Sequence, residues 1–444
     1  MIPEMGDMKI LVFGQAFNYT GGGGVTISNL FKEFKKENLF AIVSDQDIVS
    51  YDVCSNYYFL NYKERTPCFF RLFVRRKTPL WDDLSMVNGN RLSTKFSFRI
   101  ILRQFAFRIA SLFGINHFLH KYSFSVEFRK WLDGIGDIDL LYVQYADYAS
   151  MAFVLKLTNY LKKPLVVHIM DDWIESGAIT NVKTAYYELP IINHIWRFFY
   201  RTRFTNILQK SNLRFCISES MAVEYQKRYS LKFEWIHNYI NVDQWQLKSK
   251  IQLQDTFPIS YFGSIDIKNI ECFKILCEAI NKLNCFNIEL HIYTRDNSLL
   301  NNLINAYPFV IRKPYLNTKD YQVAIQNSFL LILPLGFSKK ALKYVKYSFP
   351  TKLPEYLISG TPTLILSAKE TALAEFCIRT RSAHVVTTDD PTILADQIRH
   401  LIVNKDDYNK YSLTGFEISK KLFSRQNIQK KFFQLLYLAC ANEY

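Results

Sequence analysis

Short apolar runs recur along this chain, bounded by polar or glycine-containing segments, and stretches with apolar residues every three or four positions lie between them. In the first half the runs are Lys9 to Phe13, Phe40 to Ser44, Ile138 to Gln144, Pro164 to Ile169, Leu213 to Ile217 and Phe233 to His237. They predict buried strands. Val25 to Phe34, Ala149 to Leu161 and Glu219 to Arg228 carry helical spacing. Strands alternating with helices predict a parallel sheet covered on both faces. Residues 239 to 257 are polar and charged and break the pattern, which marks them as an interdomain connection. A second cycle follows, with strands predicted at Ile259 to Phe262, Ile288 to Tyr293, Val310 to Arg312, Phe329 to Leu333, Pro362 to Leu366 and Ala383 to Val386. Ile270 to Leu283 is one of its predicted helices, and Ser424 to Leu438 reads as a terminal helix.

Length agrees with two cycles. At 444 residues the chain exceeds the roughly 250 to 300 at which a single hydrophobic core stops growing. The pattern predicts an α/β protein of two Rossmann-like domains. An N-terminal domain covers 1–240, a C-terminal domain covers 241–423, and a helix at 424–444 crosses back to the first.

One region does not alternate. Between about 63 and 131, Arg99, Arg103 and Arg108 lie among Phe96, Phe98, Ile101, Phe105, Phe107 and Leu112, which predicts a helix with a wide apolar face and a basic edge. This stretch reads as an insertion. Residues 63–130 hold fourteen basic and four acidic residues, so they carry +10 of the chain's formal charge of +15. Such a local excess points to an anionic partner. A buried helix with arginines at its rim and an anionic membrane surface both fit the pattern. No helix-turn-helix, zinc or RNA-recognition signature accompanies the basic residues, which argues against nucleic acid.

Eight cysteines include no CxxC pair and no zinc-like Cys/His spacing. Reduced thiols in a cytoplasmic protein are the expectation. The longest apolar runs, such as Phe329 to Leu335, fall far short of the ~20 residues of a spanning helix. Membrane contact is therefore expected to be peripheral, on the inner face of the cytoplasmic membrane.

Two segments carry candidate chemistry. Gly21 to Gly24 follows the first strand and precedes a helix, where free backbone N–H groups favour anions. The segment matches neither GxGxxG nor a P-loop. The second is Pro350-Thr351-Lys352-Leu-Pro-Glu355-Tyr356, followed by Gly360-Thr-Pro362 and an apolar strand. It resembles the donor-binding motif of the family 4 retaining glycosyltransferases of GT-B fold, the bacterial surface polysaccharide type. Tyr261-Phe-Gly263-Ser264, the strand Leu330 to Pro334, and Cys216-Ile-Ser218-Glu219 with Trp235-Ile-His237-Asn238 resemble further segments of that family in the same order.

The resemblance implies a GT-B protein whose two domains face each other across a cleft. It implies transfer of a sugar, with retention, from a nucleotide-diphosphate sugar to a glycan or lipid-linked glycan acceptor, with no cofactor. Donor binding falls on Gly23, Gly24, Gly263, Ser264, Lys268, Arg295, Tyr347, Thr351, Lys352 and Glu355. Glu355 is assigned to the ribose hydroxyls, Lys352 and Lys268 to phosphate, and a helix starting near Thr351 points at the phosphates. His168, Asp171 and Asp172 are the implied catalytic side chains, at the end of the strand before Trp173. A buried core histidine and a helix cap are the plainer readings of the same residues. The family's first glutamate, eight positions ahead of the second with seven residues between them, is replaced by Tyr347. Asp171-Asp172 lack the spacer of a DxD metal motif, so no metal is expected. A GT-B sugar-nucleotide epimerase or hydrolase, and a non-catalytic nucleotide-sugar-binding subunit, remain the rival readings.

Overall fold

The computed structural model describes residues 6–44, 47–65, 121–145, 147–172, 174, 190–247, 255–266, 268–294, 298–314 and 316–441. Most of the basic aromatic stretch, with its predicted helix, lies outside these residues. The chain divides into two compact units. One comprises Met1–Cys216, Val223–Glu234 and Phe433–Tyr444, and the other Ile217–Ala222 and Trp235–Phe432. Apart from Ile217–Ala222 the first unit runs to Glu234, and the last division falls after Phe432 inside the final helix, where the sequence placed the boundaries at 240 and 424.

In the first unit, β1 (Ile10–Phe13), α1 (Gly22–Phe31), β2 (Leu39–Ser44), β3 (Asn56–Leu60) and the short α2 (Tyr62–Arg65) come first. Next are α3 (Val126–Gly134), β4 (Leu140–Val143), α4 (Tyr148–Leu161), β5 (Leu165–Ile169), α5 (Pro190–Lys210), β6 (Leu213–Cys216), α6 (Glu219–Tyr229) and the two-residue β7 (Glu234–Trp235). The sheet order is β3-β2-β1-β4-β5-β6-β7. Ile10 pairs in parallel with Leu39 on one side and Leu140 on the other, which makes β1 the centre where the winding direction reverses. All four residues of β1 are buried, as a strand covered on both faces requires.

Strand β3 has no counterpart in the apolar pattern. Asn56-Tyr-Tyr-Phe-Leu60 is mostly half-exposed because it lies at the sheet edge, so only Leu60 is buried and the apolar run that marks an inner strand is missing. The run predicted at Phe233 to His237 keeps only Glu234 and Trp235 as strand. Aromatic residues, abundant in the sequence, enter the core as well as the surface. Phe13, Tyr122, Phe124, Phe128 and Phe153 form a ring cluster with neighbouring centroids 4.9 to 5.8 Å apart.

The second unit runs β8 (Phe257–Phe262), α7 (Ile270–Asn281), β9 (Ile288–Tyr293), α8 (Ser298–Ala306), β10 (Val310–Lys313), α9 (Thr318–Asn327) and β11 (Leu330–Pro334). It continues with α10 (Lys339–Val345), α11 (Leu353–Ile358), β12 (Thr363–Leu366), α12 (Ala372–Thr380), β13 (His384–Val386), α13 (Pro391–Val403) and α14 (Lys405–Phe423). Helix α15 (Arg425–Cys440) begins here and ends among the residues of the first unit. The order β10-β9-β8-β11-β12-β13 repeats the first sheet's winding, all in parallel. One face is sealed by Phe273, Leu276 and Ile280 from α7 and Leu283 just after it, with Leu394, Ile398 and Leu401 from α13.

Gly14 follows β1 with φ +108°, and a Cβ there would meet the Gln144 carbonyl oxygen at 1.7 Å. Only glycine permits this approach of the chain after β1 to the chain after β4. Gly14→Ala is expected to cost more than about 3 kcal/mol of stability, read by denaturant unfolding. A cost within about 0.5 kcal/mol would show that the two chain segments need not come so close. A second expectation concerns two buried imidazoles. Burial alone lowers His168 from 6.5 to about 3, and burial, the main cause, also takes His237 to about 3. Their native pKa values lie below the unfolded value, so the unfolded chain binds more protons between those limits and stability rises with pH there. The melting temperature is therefore expected to fall as pH drops below 6.5 toward 3, and less steeply in His168→Asn/His237→Asn. Equal slopes in both proteins would remove these two groups from the effect.

Candidate functional site

In open α/β sheets, ligands bind outside the carboxyl ends of the strands where the winding reverses. In the second unit that place lies between β8 and β11. The loop after β8 is tightly held. Asn269 donates to the Tyr261 hydroxyl at 3.1 Å and to the Ser264 carbonyl at 3.0 Å, and its own Oδ1 accepts from Asp266 N at 3.0 Å. The Tyr261 hydroxyl donates to the same Ser264 carbonyl at 2.9 Å. A Cβ on Gly263 would lie 2.7 Å from that hydroxyl, so the glycine leaves room for it. Ser264 and Lys268 are exposed on this loop, just before the first turn of the twelve-residue α7. The loop after β11 closes against it. Gly336 N donates to the Lys268 carbonyl at 2.7 Å, an approach that a Cβ would block at the same distance.

Helix α11 carries the segment around Glu355. It begins at Leu353, two residues after Thr351, because Pro354 sits in its first turn and Lys352 takes the capping position. The start thus lies within two residues of Thr351, and six residues make a short helix. Leu353, Pro354, Tyr356, Leu357 and Ile358 are buried, which turns Glu355 outward. The helix closes on Gly360 at φ +73°, the left-handed position that ends helices at little cost in glycine. Two hydrogen bonds fix its placement. The buried Tyr356 hydroxyl accepts from the backbone N of Phe262 at 2.9 Å, and the Pro354 carbonyl accepts from Ser419 at 2.7 Å. Tyr356 thus ties the residue beside Glu355 to the residue before Gly263.

Glu355 is about a third exposed and accepts from the Tyr321 hydroxyl on Oε2 at 2.5 Å. Lys352 Nζ lies 4.0 Å from the same oxygen, 3.4 Å from the Tyr321 hydroxyl and 4.6 Å from the centre of its ring. Tyr321, from α9, meets Phe262 edge to face at 5.1 Å, and Phe262 stacks on Tyr293 at 4.2 Å. Tyr321 carries no sequence motif. Only tertiary packing brings it to a carboxylate 34 residues along the chain. This cluster presents a carboxylate, an ammonium and aromatic faces together, a set suited to a ligand with vicinal hydroxyls, negative charge and a ring.

The other expected donor residues are spread around this unit. Tyr347 is half-buried, its carbonyl accepts from Ser218 at 3.0 Å, and Lys346 lies 5.1 Å from its ring. Arg295 lies outside the described residues.

In the first unit, the predicted glycine loop is partly helix. Gly22 to Gly24 form the first turn of α1, with Gly21 extended at the capping position. The absence of side chains permits it, since a Cβ on Gly24 would sit 2.3 Å from the Asn18 side chain and one on Gly23 3.0 Å from Gln15. Asn18 is buried and holds the preceding loop through Ala16 and Thr20. His168 is buried near the end of β5, with Nδ1 2.5 Å from the Tyr142 hydroxyl. Among the described residues its Nε2 has no hydrogen-bond partner. Burial keeps the ring neutral, so it acts as a hydrogen-bonding group and not as a cation. Asp172 accepts from the Tyr225 hydroxyl at 2.6 Å, which occupies one of its oxygens. Asp171, next to it, is half-buried. Among the described residues no three His, Cys, Asp or Glu side chains are grouped to hold a metal ion.

No family profile and no curated protein sequence matches the chain. Solved structures do. Sucrose-phosphate synthase from Thermosynechococcus elongatus superposes with a TM-score of 0.62 at 13% identity, over 96% of this chain and 98% of that one. HepE from Anabaena in complex with UDP-glucose gives 0.58 at 13% identity, over 97% and 99%. A glycosyltransferase from Rickettsia africae gives 0.56 at 12% identity, over 98% of each chain. Identities this low speak for shared architecture. With its two parallel sheets wound in the same order and this likeness along almost its whole length, the chain has the GT-B fold.

Proposed function

We propose that the chain is a glycosyltransferase that moves a sugar from a nucleoside diphosphate sugar to a hydroxyl of a glycan or lipid-linked glycan acceptor, with retention. The observation that carries the reading is the cluster of Glu355, Lys352 and Tyr321, one residue from the contact that ties α11 to the end of β8. It stands on a GT-B fold whose solved examples include a protein crystallised with UDP-glucose and a sucrose-phosphate synthase.

In this reading Glu355 accepts hydrogen bonds from the ribose diol. A carboxylate offers about four lone-pair sites, and Tyr321 takes one of them. Tyr321 also keeps the side chain in place before the nucleotide arrives, which lowers the entropic cost of binding. Lys352 and Lys268 face the diphosphate, and the backbone N–H groups that open α7 add partial positive charge. Gly263, Ser264 and Thr351 complete the proposed donor contacts, with Tyr347 and Arg295 flanking them. In the first unit, His168, Asp171 and Asp172 are the proposed groups for the acceptor and the moving sugar, and the turn at Gly23 and Gly24 is a proposed donor contact.

The bond from the anomeric carbon to the phosphate oxygen breaks, and its electron pair leaves with the diphosphate. The acceptor oxygen bonds to that carbon on the same face, and its proton passes to the departing phosphate oxygen. Negative charge grows on the diphosphate as the bond stretches. Fixed cations nearby therefore stabilise the transition state more than the ground state. No resident metal and no cofactor enter this scheme.

The donor class follows from a thermal-shift screen over nucleotides and nucleotide sugars, because a ligand of the native state raises the melting temperature by mass action. Glu355→Gln and Lys352→Ala are each expected to lower kcat/KM by a factor corresponding to about 2 to 4 kcal/mol while leaving the unliganded melting temperature near that of the wild type. Wild-type turnover in either variant would remove that residue from the site. Transfer is also expected to persist after exhaustive chelation, measured as sugar incorporated into acceptor. Loss of turnover on chelation with recovery on added Mg²⁺ or Mn²⁺ would overturn the metal-independent scheme.

A further inference from the structure

Helix α5 of the first unit has two unlike faces. Trp196, Tyr200, Phe204, Ile207 and Leu208 are buried and hold it to its unit. On the other side Ile191, Ile195 and Phe198 are 69%, 44% and 64% exposed, and Phe199 beside them is 46% exposed. The spacing of four and three residues places the first three on one stripe along the helix. Single exposed apolar residues are ordinary, but four large ones within nine positions on one helix form a patch that asks for a partner.

Charge narrows the choice of partner. From Pro190 to Lys210 the sequence holds Arg197, Arg201, Arg203 and Lys210 and no Asp or Glu. Arg203 serves the helix itself, since it donates to the Tyr148 carbonyl at 2.9 Å and lies 3.5 Å over the Tyr148 ring. Arg201 is exposed and flanks the apolar stripe. A second copy of this chain would bring the same acid-free helix and another +15 of formal charge, which opposes self-association through this face. An anionic bilayer complements both features, taking Phe and Ile side chains at the acyl boundary and arginines at the headgroups. Among the described residues no helix is long and apolar enough to cross a membrane, so the contact is a surface one.

We infer that the exposed stripe of α5 docks the chain on an anionic lipid surface. The inference stands apart from the donor-site reading, because it needs no nucleotide. It also places membrane contact on residues other than the basic aromatic stretch in which the sequence pattern suggested it.

The test is flotation of the full chain with vesicles of phosphatidylcholine alone and of phosphatidylcholine with phosphatidylglycerol. Wild-type protein is expected to float with the anionic vesicles and to be released by high salt. Ile195→Ser/Phe198→Ser is expected to lower the partition coefficient about tenfold or more, since each change removes apolar surface from the bilayer. Arg201→Gln, which leaves the apolar stripe whole, is expected to lower binding to anionic vesicles and not to neutral ones. Both proteins change exposed positions, so unchanged far-ultraviolet circular dichroism and melting temperature verify that they fold. Three outcomes would each overturn the inference: equal flotation of wild type and the double variant, equal binding to the two vesicle types, or a wild-type dimer in sedimentation that the double variant dissolves without any lipid binding.

Discussion

Parallel strands buried on both faces cannot be joined by tight turns; each must be followed by a crossover that runs back over the sheet. That constraint organises both units here. It gathers the loops that follow the strands at one edge of each sheet, and where the winding reverses, at β1 and β4 or at β8 and β11, the segments after the two strands come close together. Glycines occupy those places for steric reasons. Gly14 passes the Gln144 carbonyl, and Gly336 passes that of Lys268, at distances no side chain would allow. The candidate chemistry of the six-stranded unit lies beside the second of these reversals.

The site of that unit is held from behind. Tyr356 is buried and binds the backbone at Phe262, Ser419 binds the carbonyl of Pro354, and the buried face of α11 locks the helix in the core. Glu355 then has little freedom beyond its own rotamer, which Tyr321 restricts further. An anionic group at this depth is stabilised by a neutral donor and a nearby ammonium without being neutralised by a close ion pair, since Lys352 stands at 4.0 Å. Such a carboxylate keeps capacity for a ligand's hydroxyl groups. His168 shows the contrasting case. Burial without an opposing charge holds it neutral, and its chemistry is limited to giving or taking a hydrogen bond.

Much of the architecture was legible in the chain. The inner strands stood out as short apolar runs because both of their faces are buried, and their alternation with helical spacing led to two wound sheets. Edge strand β3 was not legible, since an edge buries little and its residues are mixed. Nor was the start of α1, because glycines that read as a loop turned out to form a helical turn where neighbouring side chains need the space. The segment Lys352 to Gly360 was legible as a site through its resemblance to a family motif, whereas Tyr321 carries no pattern of its own and reaches its place only by packing.

The order of apolar and polar residues by itself determined the α/β class and the two cycles of strands and helices, because burial and helical period are local properties that repeat along the chain; the Glu355 segment was found by its resemblance to a family motif. Tertiary structure alone decided which side chains meet. It set the hydroxyl of Tyr321 on Glu355, buried His168 beside Tyr142 and left one face of α5 uncovered, since each of these depends on how distant elements pack and not on any neighbour in the chain.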